Sequence, residues 1–351
     1  MATRRAFLAG MMAASLPRTS WAAAGSPAFL AAAKTGDAYQ LHGLTEAGES
    51  LFALPLPARG HAAAAHPHRA EAVAFARRPG TFALVIDCVS GKILHQLTPP
   101  DTRQFNGHGA FSEGGDLLMT SEVVAEGSAG RIGLWDTHDY TRIAEWDTGG
   151  IGPHDLKRLP DGRIVVANGG IQTDPGDRTK LNTASMRPNL TLLSPDGRIL
   201  DQATLPDGLH QNSIRHLALT PDGIAFAMQW EGDPAEPVPQ LGLWQPGTAP
   251  RPCPPDQVDA FAMKGYAGSI AAAGGLVALT SAPGGAIMLF GTGGTAMTTL
   301  RHADLSGVAP GPAGLVATDG QGNIWAVAAT GLQLLARHEV AWDNHLVALS
   351  A

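Results

Sequence analysis

The chain has 351 residues, of which 16% are charged, and it contains 43 glycines and 26 prolines. This composition favours many short strands joined by tight turns over long surface helices. The formal net charge is −7 and the sequence has no basic run, which excludes nucleic acid as an expected partner because phosphate binding requires clustered lysine and arginine.

The N-terminus has the pattern of an export signal. Arg4 and Arg5 precede a short apolar stretch and a run of alanines, and paired arginines in that setting resemble the signal of the twin-arginine route. No later segment has the ~20 uninterrupted apolar residues of a membrane span. We therefore expect residues 1–24 to be a signal peptide, and residues 25–351 to form one domain that is monomeric and free in the periplasm.

A repeated unit follows along the chain. It consists of a short strand, a turn rich in Pro, Asp or Gly, and a second apolar strand, and its clearest copies start at His108, His154 and His216. Further short strands complete each copy. Repeats of roughly 40–50 residues built from four strands are typical of β-propeller blades.

The number of blades follows from the weaker copies. These start at His61, Ala267 and Gly307, and one more inner strand remains at His345. The three strands missing beside it are expected at the start of the domain, at 29–34, 38–43 and 49–57. Joining both chain ends in one sheet removes a free edge. The sequence thus predicts an all-β, seven-bladed β-propeller whose last blade is closed by N- and C-terminal strands.

Turn glycines support this register independently of the histidines. In five units a glycine follows the start of the inner strand by seven or eight residues: Gly115, Gly162, Gly223, Gly275 and Gly314. Glycine is the residue that a tight hairpin turn with positive φ requires. The recurring offset therefore indicates that the starts of the inner strands are aligned correctly.

Five of the seven predicted inner strands begin with histidine. They are His61, His108, His154, His216 and His345. Inner strands line the central channel of a propeller, so equivalent positions form a ring around its axis. Neutral imidazole is a common ligand for first-row transition metals, whereas calcium and magnesium prefer oxygen. The pattern predicts a transition-metal cofactor, with iron first and copper as the alternative; channel histidines bonded to water or to each other are the structural alternative.

The neighbours of the ring receive weaker assignments. His210 is considered as an extra ligand or an orienting donor, and Asp155, Arg215 and Asn344 as side chains that orient the ligands. Strand alternation should point these adjacent residues away from the channel, so they receive no ligand role. His66 and His68 fall at a predicted hairpin turn and are expected to be solvated.

Two further features bear on access and covalent structure. Three long insertions, at 121–130, 169–188 and 230–239, are expected to emerge on the histidine face, where loops of a repeat fold commonly bind ligands. Small residues at Ala267 and Gly307 are expected to leave an open side for a ligand. Cys88 and Cys253 are far apart in sequence and favour two free thiols, with a disulfide left open.

The chain resembles a family of exported seven-bladed propellers of unknown function (domain of unknown function 1513). The likeness rests on Arg59-Gly60-His61, Ala74-Phe75-Ala76-Arg77-Arg78-Pro79-Gly80-Thr81, Gly107-His108, Gly152-Pro153-His154-Asp155 and Ser213-Ile214-Arg215-His216. It implies a periplasmic setting beside imelysin-type proteins and dihaem cytochrome-type peroxidases linked to iron acquisition. It implies no particular reaction.

The resulting hypothesis is a periplasmic, transition-metal-binding propeller that serves iron acquisition or a redox step on the metal. One alternative is a non-catalytic scaffold that docks an imelysin-like or cytochrome partner. A second is a lactonase-like hydrolase, which would hold calcium through carboxylates and amides. No catalytic residue is assigned, and whether the protein is an enzyme stays open at this point. The identity of the bound metal discriminates between the three.

Overall fold

The computed structural model describes residues 19–77 and 81–349, so most of the predicted signal peptide lies outside the described residues. Within these ranges the chain forms 28 strands, one short α-helix, α1 (Gln257–Ala262), and three 3₁₀ turns at Trp21–Ala24, Thr183–Ser185 and Asp207–Leu209. None of the helices described has the length and apolar character needed to cross a membrane.

The strands form seven antiparallel four-stranded sheets, and sequence neighbours pair within each sheet. Three N-terminal strands come first: β1 (Phe29–Thr35), β2 (Ala38–Leu44) and β3 (Ser50–Leu56). Blade 1 contains β4 (Gly60–Ala65), β5 (Glu71–Ala76), β6 (Ala83–Asp87) and β7 (Ile93–Leu97). Blade 2 contains β8 (Arg103–Phe111), β9 (Leu117–Val124), β10 (Ala129–Asp136) and β11 (Thr141–Ile151). Blade 3 contains β12 (Pro153–Arg158), β13 (Ile164–Asn168), β14 (Asn189–Leu193) and β15 (Ile199–Thr204).

The second half of the chain continues the pattern. Blade 4 contains β16 (Asn212–Thr220), β17 (Gly223–Trp230), β18 (Leu241–Trp244) and β19 (Arg251–Cys253). Blade 5 contains β20 (Ser269–Ala273), β21 (Leu276–Ser281), β22 (Ala286–Gly291) and β23 (Ala296–Arg301). Blade 6 contains β24 (Leu305–Gly311), β25 (Gly314–Asp319), β26 (Asn323–Ala328) and β27 (Gly331–Arg337). The last strand is β28 (Ala341–Ala348).

The seventh blade joins the two ends of the chain, as the sequence predicts. Its strand order is β28-β1-β2-β3, and Phe29 pairs with Ala348 while Leu30 pairs with Val347. The first strand of each blade contacts the first strand of the next around the ring, and β28 contacts both β24 and β4. The predicted seven-bladed β-propeller with terminal closure is therefore confirmed.

Glycines lie at the turns of five inner hairpins. Gly115 and Gly162 have φ values of 76° and 84°, in the region that strains other residues. The glycines predicted at the other three inner hairpins, Gly223, Gly275 and Gly314, also have positive φ. The glycine offset in the sequence thus identified the correct turns.

The hydrophobic core lies between adjacent blades. Phe75 of blade 1 packs in one cluster with Phe105 and Trp135 of blade 2, and Phe226 and Trp244 of blade 4 pack with Val165 of blade 3. Burial of a large apolar side chain contributes about 1.5–3 kcal/mol. Because each blade is held on both sides in this way, the inner strands around the channel have fixed positions.

The inner strands are interrupted at the level of the histidines. Register shifts fall between Gly60 and Ala63, Phe105 and Gly109, Pro153 and Asp155, Ile214 and His216, and Leu305 and Val308. In the pairing of β1 with β28, a further shift separates the partners Leu346 and Trp342. All five ring histidines lie within or at the edge of such a shift. Bulges of this kind turn side chains out of the regular alternation.

Two of the three predicted insertions are present as long loops. One spans 169–188 between β13 and β14, and the other spans 231–240 between β17 and β18. The third prediction, 121–130, was wrong, because β9 extends to Val124 and β10 begins at Ala129. The alternating residues there continue the ladder, which leaves a four-residue turn. Cys88 and Cys253 are both buried and free.

Candidate metal centre

Three histidine side chains meet with their Nε2 atoms almost in contact. His61 Nε2 lies 3.2 Å from His108 Nε2 and 3.3 Å from His345 Nε2. The three residues come from blades 1, 2 and 7, and their ligand atoms lie within 4.8 Å of one another. Nitrogens at this spacing can bind one metal ion together, because two ligands of one ion at roughly 2.0–2.1 Å each are separated by about 3–4 Å.

A second group shares one member with the first. His108, His154 and His216 also have ligand atoms within 4.8 Å of one another. Ring centroids lie 4.7 Å apart for His108 and His154, and again for His154 and His216. The circle closes between His216 and His345, whose centroids are 4.8 Å apart. All five predicted ring histidines are thus brought together, and His108 belongs to both groups.

Hydrogen bonding within the cluster is incomplete. A nitrogen of a neutral imidazole has either one proton or one lone pair, so His61 Nε2 can form a good hydrogen bond with only one of its two neighbours. His61 Nδ1 and His154 Nδ1 are buried and have no hydrogen-bond partner among the described residues. A buried polar group without a partner costs about 1–3 kcal/mol. Without a bound ligand, the unpartnered nitrogens of the cluster therefore destabilise the folded state.

The environment keeps the imidazoles neutral. Burial, followed by the charges of neighbouring histidines, lowers the pKa of His61, His154 and His216 well below the usual range. Burial also lowers the pKa of His345 to about 4, although the Asp343 carboxylate opposes this effect. Neutral imidazole is the form that binds metal ions. At neutral pH these four rings therefore have lone pairs for a ligand.

Asp155 lies closer to the ring than strand alternation suggests. Its Oδ1 atom is 3.6 Å from His108 Nδ1, and its Oδ2 accepts a hydrogen bond of 3.0 Å from the backbone of Leu217. The register shift at Pro153 and Asp155 explains the difference, because it breaks the alternation on which the expectation relied. The carboxylate can therefore orient His108, while burial raises the pKa of Asp155.

The other considered neighbours have partners outside the histidine cluster. Asn344 donates from its side-chain amide to the Tyr266 hydroxyl at 2.8 Å, and Arg215 lies 3.8 Å from Glu231. His210 Nδ1 is 2.8 Å from the carbonyl oxygen of Asp207 in an exposed turn, and it belongs to neither histidine group among the residues described.

Sequence reasoning missed a serine that supports the ring. Ser121 is fully buried on β9, and its hydroxyl accepts from the backbone N–H of His108 at 3.2 Å and donates to the His108 carbonyl at 3.1 Å. These bonds satisfy backbone groups that the bulge leaves without ladder partners. Its position opposite His108 on the paired strand was the only available sequence signal.

The expectation for His66 was also wrong. The side chain is buried, its Nε2 lies 2.9 Å from the Gly115 carbonyl oxygen, and its Nδ1 accepts from the backbone N–H of His68 and of Arg69. The ring is therefore part of the hairpin packing. His68 is exposed at the same turn, as expected.

A channel of mixed polar and apolar lining leads away from the histidines. The cavity has a volume of about 760 Å³, and its lining includes His108, His216 and His345 at one end, and Lys157 and the alanines of β4 along its wall. Trp21 lies in the predicted signal segment and lines the far end, where its indole N–H donates to the His66 carbonyl at 2.7 Å. The channel provides space for a small molecule beside the cluster.

The packing of the inner strands requires a small residue at Gly307. A Cβ atom there would lie 2.7 Å from the backbone nitrogen of Leu346 and 2.8 Å from Thr318 Oγ1. Glycine is required because two inner strands approach closely at this point. The expectation that blades 5 and 6, which start at Ala267 and Gly307, leave the open side of the ring stays a prediction.

The residues present fit a transition-metal ion better than a hard cation. Five imidazoles and one nearby carboxylate provide a donor set dominated by nitrogen, whereas Ca²⁺ takes six to eight oxygen ligands. The described residues thus contain a buried histidine cluster that could hold a metal ion.

Comparison with known proteins identifies a family by sequence. The family described as "Protein of unknown function (DUF1513)" matches residues 54–349, which include all five ring histidines. No curated protein matches the chain.

Comparison with solved structures supports the fold alone. The chain is similar to the hydrazine synthase of Kuenenia stuttgartiensis, with a TM-score of 0.60, 13% identity and coverage of 86% of this chain and 90% of that chain. It is also similar to a chain of the mitotic checkpoint complex (TM-score 0.53, 11% identity, coverage 78% and 75%). The computationally designed Ika8 protein is a third similar structure (TM-score 0.54, 16% identity, 90% of each chain).

Proposed function

The chain belongs to the family described as Protein of unknown function (DUF1513), and from that premise we propose that it is an exported, periplasmic propeller that binds a transition-metal ion. Iron is the first candidate and copper the second. The ligands come from the five histidines of the ring. Its role is to handle the metal for iron acquisition, or to support a redox step on it, beside an imelysin-like or cytochrome partner.

The convergence of three Nε2 atoms at His61 is the observation that carries the proposal. Contacts of 3.2 and 3.3 Å join this atom to His108 and His345. No set of neutral tautomers gives both contacts a good hydrogen bond, whereas one cation can bind all three lone pairs. A metal ion therefore removes the conflict that the residues have among themselves.

The route of export bears on which metal is bound. In an open nitrogen site the Irving–Williams order favours Cu²⁺ over Fe²⁺, so affinity alone would select copper. A protein that crosses the membrane already folded, as the twin-arginine route permits, can take up its metal before export. Iron is then loaded away from periplasmic copper, and Arg4 and Arg5 are the residues that direct this route.

Elemental analysis of the exported protein tests the proposal. Wild-type protein is purified from its own periplasm without chelators or nickel affinity resin, beside His108→Ala and the control His68→Ala. His108 is shared by both histidine groups, whereas His68 is exposed at a turn. We expect near-stoichiometric iron or copper in the wild type and control, and loss of metal in His108→Ala. The proposal is contradicted if the wild-type protein contains no transition metal. It is also contradicted if the metal content is equal in the wild type, the variant and the control. Zinc or nickel in the wild type contradicts the iron assignment.

A further inference from the structure

The channel beside the histidine cluster is larger than a metal ion needs. Its volume of about 760 Å³ lies within the range of roughly 300–1,000 Å³ that is typical of small-molecule sites. All seven inner strands contribute residues to its lining: β4, β8, β12, β16, β20, β24 and β28. Because these strands are held between the blades, the channel is a preformed space and not a gap between loops.

Polar and apolar side chains occupy different parts of the lining. The histidines, Asp155 and Lys157 line the part beside the cluster, whereas Ser112, Glu113 and Arg158 come from the ends of β8 and β12, towards the hairpin turns. Apolar side chains line the wall between these parts, at 62–65, 217–219, 270–272 and 346–349. A molecule in this channel therefore meets polar groups at its ends and an apolar surface along its length.

Lys157 keeps N–H donors available to a ligand in the channel. Its Nζ lies 3.5 Å from Asp155 Oδ2, which is longer than a charge-assisted hydrogen bond of roughly 2.7–2.9 Å. The same carboxylate also accepts from the backbone N–H of Leu156 at 2.9 Å and of Leu217 at 3.0 Å. The Lys157 side chain is 44% exposed, and an ammonium has three donors. This group can therefore bind an anion.

The position of Lys157 places such an anion near the histidines. Asp155 links the two, because its Oδ2 contacts Lys157 and its Oδ1 lies 3.6 Å from His108 Nδ1. Arg158, the other cation among the described lining residues, lies 3.3 Å from Glu113 Oε2 and donates to the Leu159 carbonyl at 3.3 Å. Lys157 is therefore the better anchor for an anion, and it lies towards the cluster.

We propose that the channel binds an organic carboxylate with an apolar body, whose carboxylate contacts Lys157 and whose body packs along the apolar wall. From Ala62 to Ala65 this wall runs for about 10 Å at roughly 3.3 Å per residue. That is the length of an extended chain of about eight carbons at about 1.25 Å each, since a C–C bond measures about 1.52 Å. An inorganic anion would leave the apolar wall uncovered, whereas an organic body buries apolar surface there.

The metal centre gives the bound carboxylate a further role, which rests on the proposed function. The five histidines are neutral ligands and leave the charge of a metal ion uncompensated. A carboxylate at Lys157 supplies a negative charge beside the cluster. The channel then brings an organic acid to the metal, and the site recognises both.

The channel site is tested without metal. Metal-free protein is titrated in a calorimeter with octanoate, with octanamide as a neutral molecule of equal length, and with acetate, which lacks the apolar body. The variants are Lys157→Met, Lys157→Arg and Leu219→Asp; the last puts a charge on the apolar wall at a position that is 37% exposed. The control is Lys92→Met, because Lys92 is exposed in the turn between the outer strands β6 and β7. Metal content is measured separately in every protein.

We expect octanoate to bind at one site with a dissociation constant below about 1 mM, at least about fivefold more tightly than octanamide and about 100-fold more tightly than acetate. Lys157→Met should weaken octanoate binding at least about fivefold and leave octanamide binding unchanged, because only the charged hydrogen bond is lost. Lys157→Arg should keep most of the affinity for octanoate. Leu219→Asp should weaken the binding of octanoate and octanamide, and Lys92→Met neither.

The proposal is overturned if octanoate does not bind, or if octanoate and octanamide bind the wild type equally well. It is also overturned if octanoate affinity is unchanged in both Lys157→Met and Leu219→Asp, because binding would then lie outside the channel. Octanoate binding in a protein that never holds metal contradicts the proposed function and leaves the channel site standing. A protein that holds metal but does not bind octanoate gives the reverse result.

Discussion

Replacing His61 with leucine should stabilise the metal-free protein. The His61 Nδ1 atom is buried without a partner among the described residues, and its Nε2 can satisfy only one of two contacts, at 3.2 and 3.3 Å. Removing an unsatisfied buried group stabilises the folded state by about 1–3 kcal/mol. Losing the one hydrogen bond that Nε2 can form destabilises it by about 1 kcal/mol. Leucine removes the polar atoms and fills a similar volume. We therefore expect a net gain of up to about 2 kcal/mol.

The measurement is denaturant and thermal unfolding of metal-free wild type and His61→Leu. Each kcal/mol shifts the thermal midpoint by roughly 2–4 °C in domains of about 150–250 residues, and by less in this longer chain. The control His68→Leu changes an exposed histidine at the β4–β5 turn and should alter stability by less than about 0.5 kcal/mol.

Adding metal should make the wild type more stable than His61→Leu. Wild type gains about 2.7 kcal/mol when the free metal concentration is 100 times the dissociation constant, whereas His61→Leu lacks a central ligand and gains less. A His61→Leu protein that is less stable than wild type without metal would refute the reasoning, because the histidine would then be retained for stability. An equal gain on metal addition in both proteins would refute its role as a ligand.

Three further predictions concern the scaffold. Hydrogen bonds from arginine lower the pKa of Glu145 from 4.5 to about 2. The contribution of this carboxylate to the free energy of unfolding is therefore present above about pH 4.5 and is lost as the pH falls towards 2. The stability advantage of wild type over Glu145→Gln, measured by unfolding in urea, should be clear at about pH 7 and absent at about pH 2. Burial raises the pKa of Cys88 to about 12. Because the thiolate is the reactive form, we expect this thiol to react with a disulfide reagent at about pH 8 only after unfolding. Rapid reaction of the native protein would contradict the burial of Cys88. Gly115→Ala should lower the free energy of unfolding by about 1–3 kcal/mol more than Gly162→Ala does. The two glycines have similar φ, but a Cβ at Gly115 would lie 2.4 Å from a buried histidine ring, whereas the nearest atom to a Cβ at Gly162 is 3.5 Å away. Equal unfolding midpoints of the two variants in urea would contradict this close approach.

Much of the architecture could be predicted because propeller signals are local. Turn glycines at a constant offset mark the inner hairpins, and their positive φ values show why that residue type is needed there. The strand at His345 is followed by no further strands in the sequence that could complete a blade. Its partners therefore had to come from the N-terminal end of the chain. Its pairing with β1 is what the structure contains.

The approach of the histidines also followed from the sequence. Residues at equivalent positions of a repeat lie on one ring around the axis, so five histidines at the starts of inner strands must face one channel. Their neighbours could not be placed in the same way, because side-chain direction was inferred from strict strand alternation. The bulges at the ring break that alternation and bring Asp155 towards His108.

What the sequence determined by itself was the repeat, the closure of the ring and the residue type at its centre, since each depends on chain-local spacing. Tertiary structure alone decided the 3.2 Å contact of His61 with His108 and the burial of His66. These features arise between blades that are distant in sequence. Their distances depend on how seven sheets pack, and no periodicity along the chain records that packing.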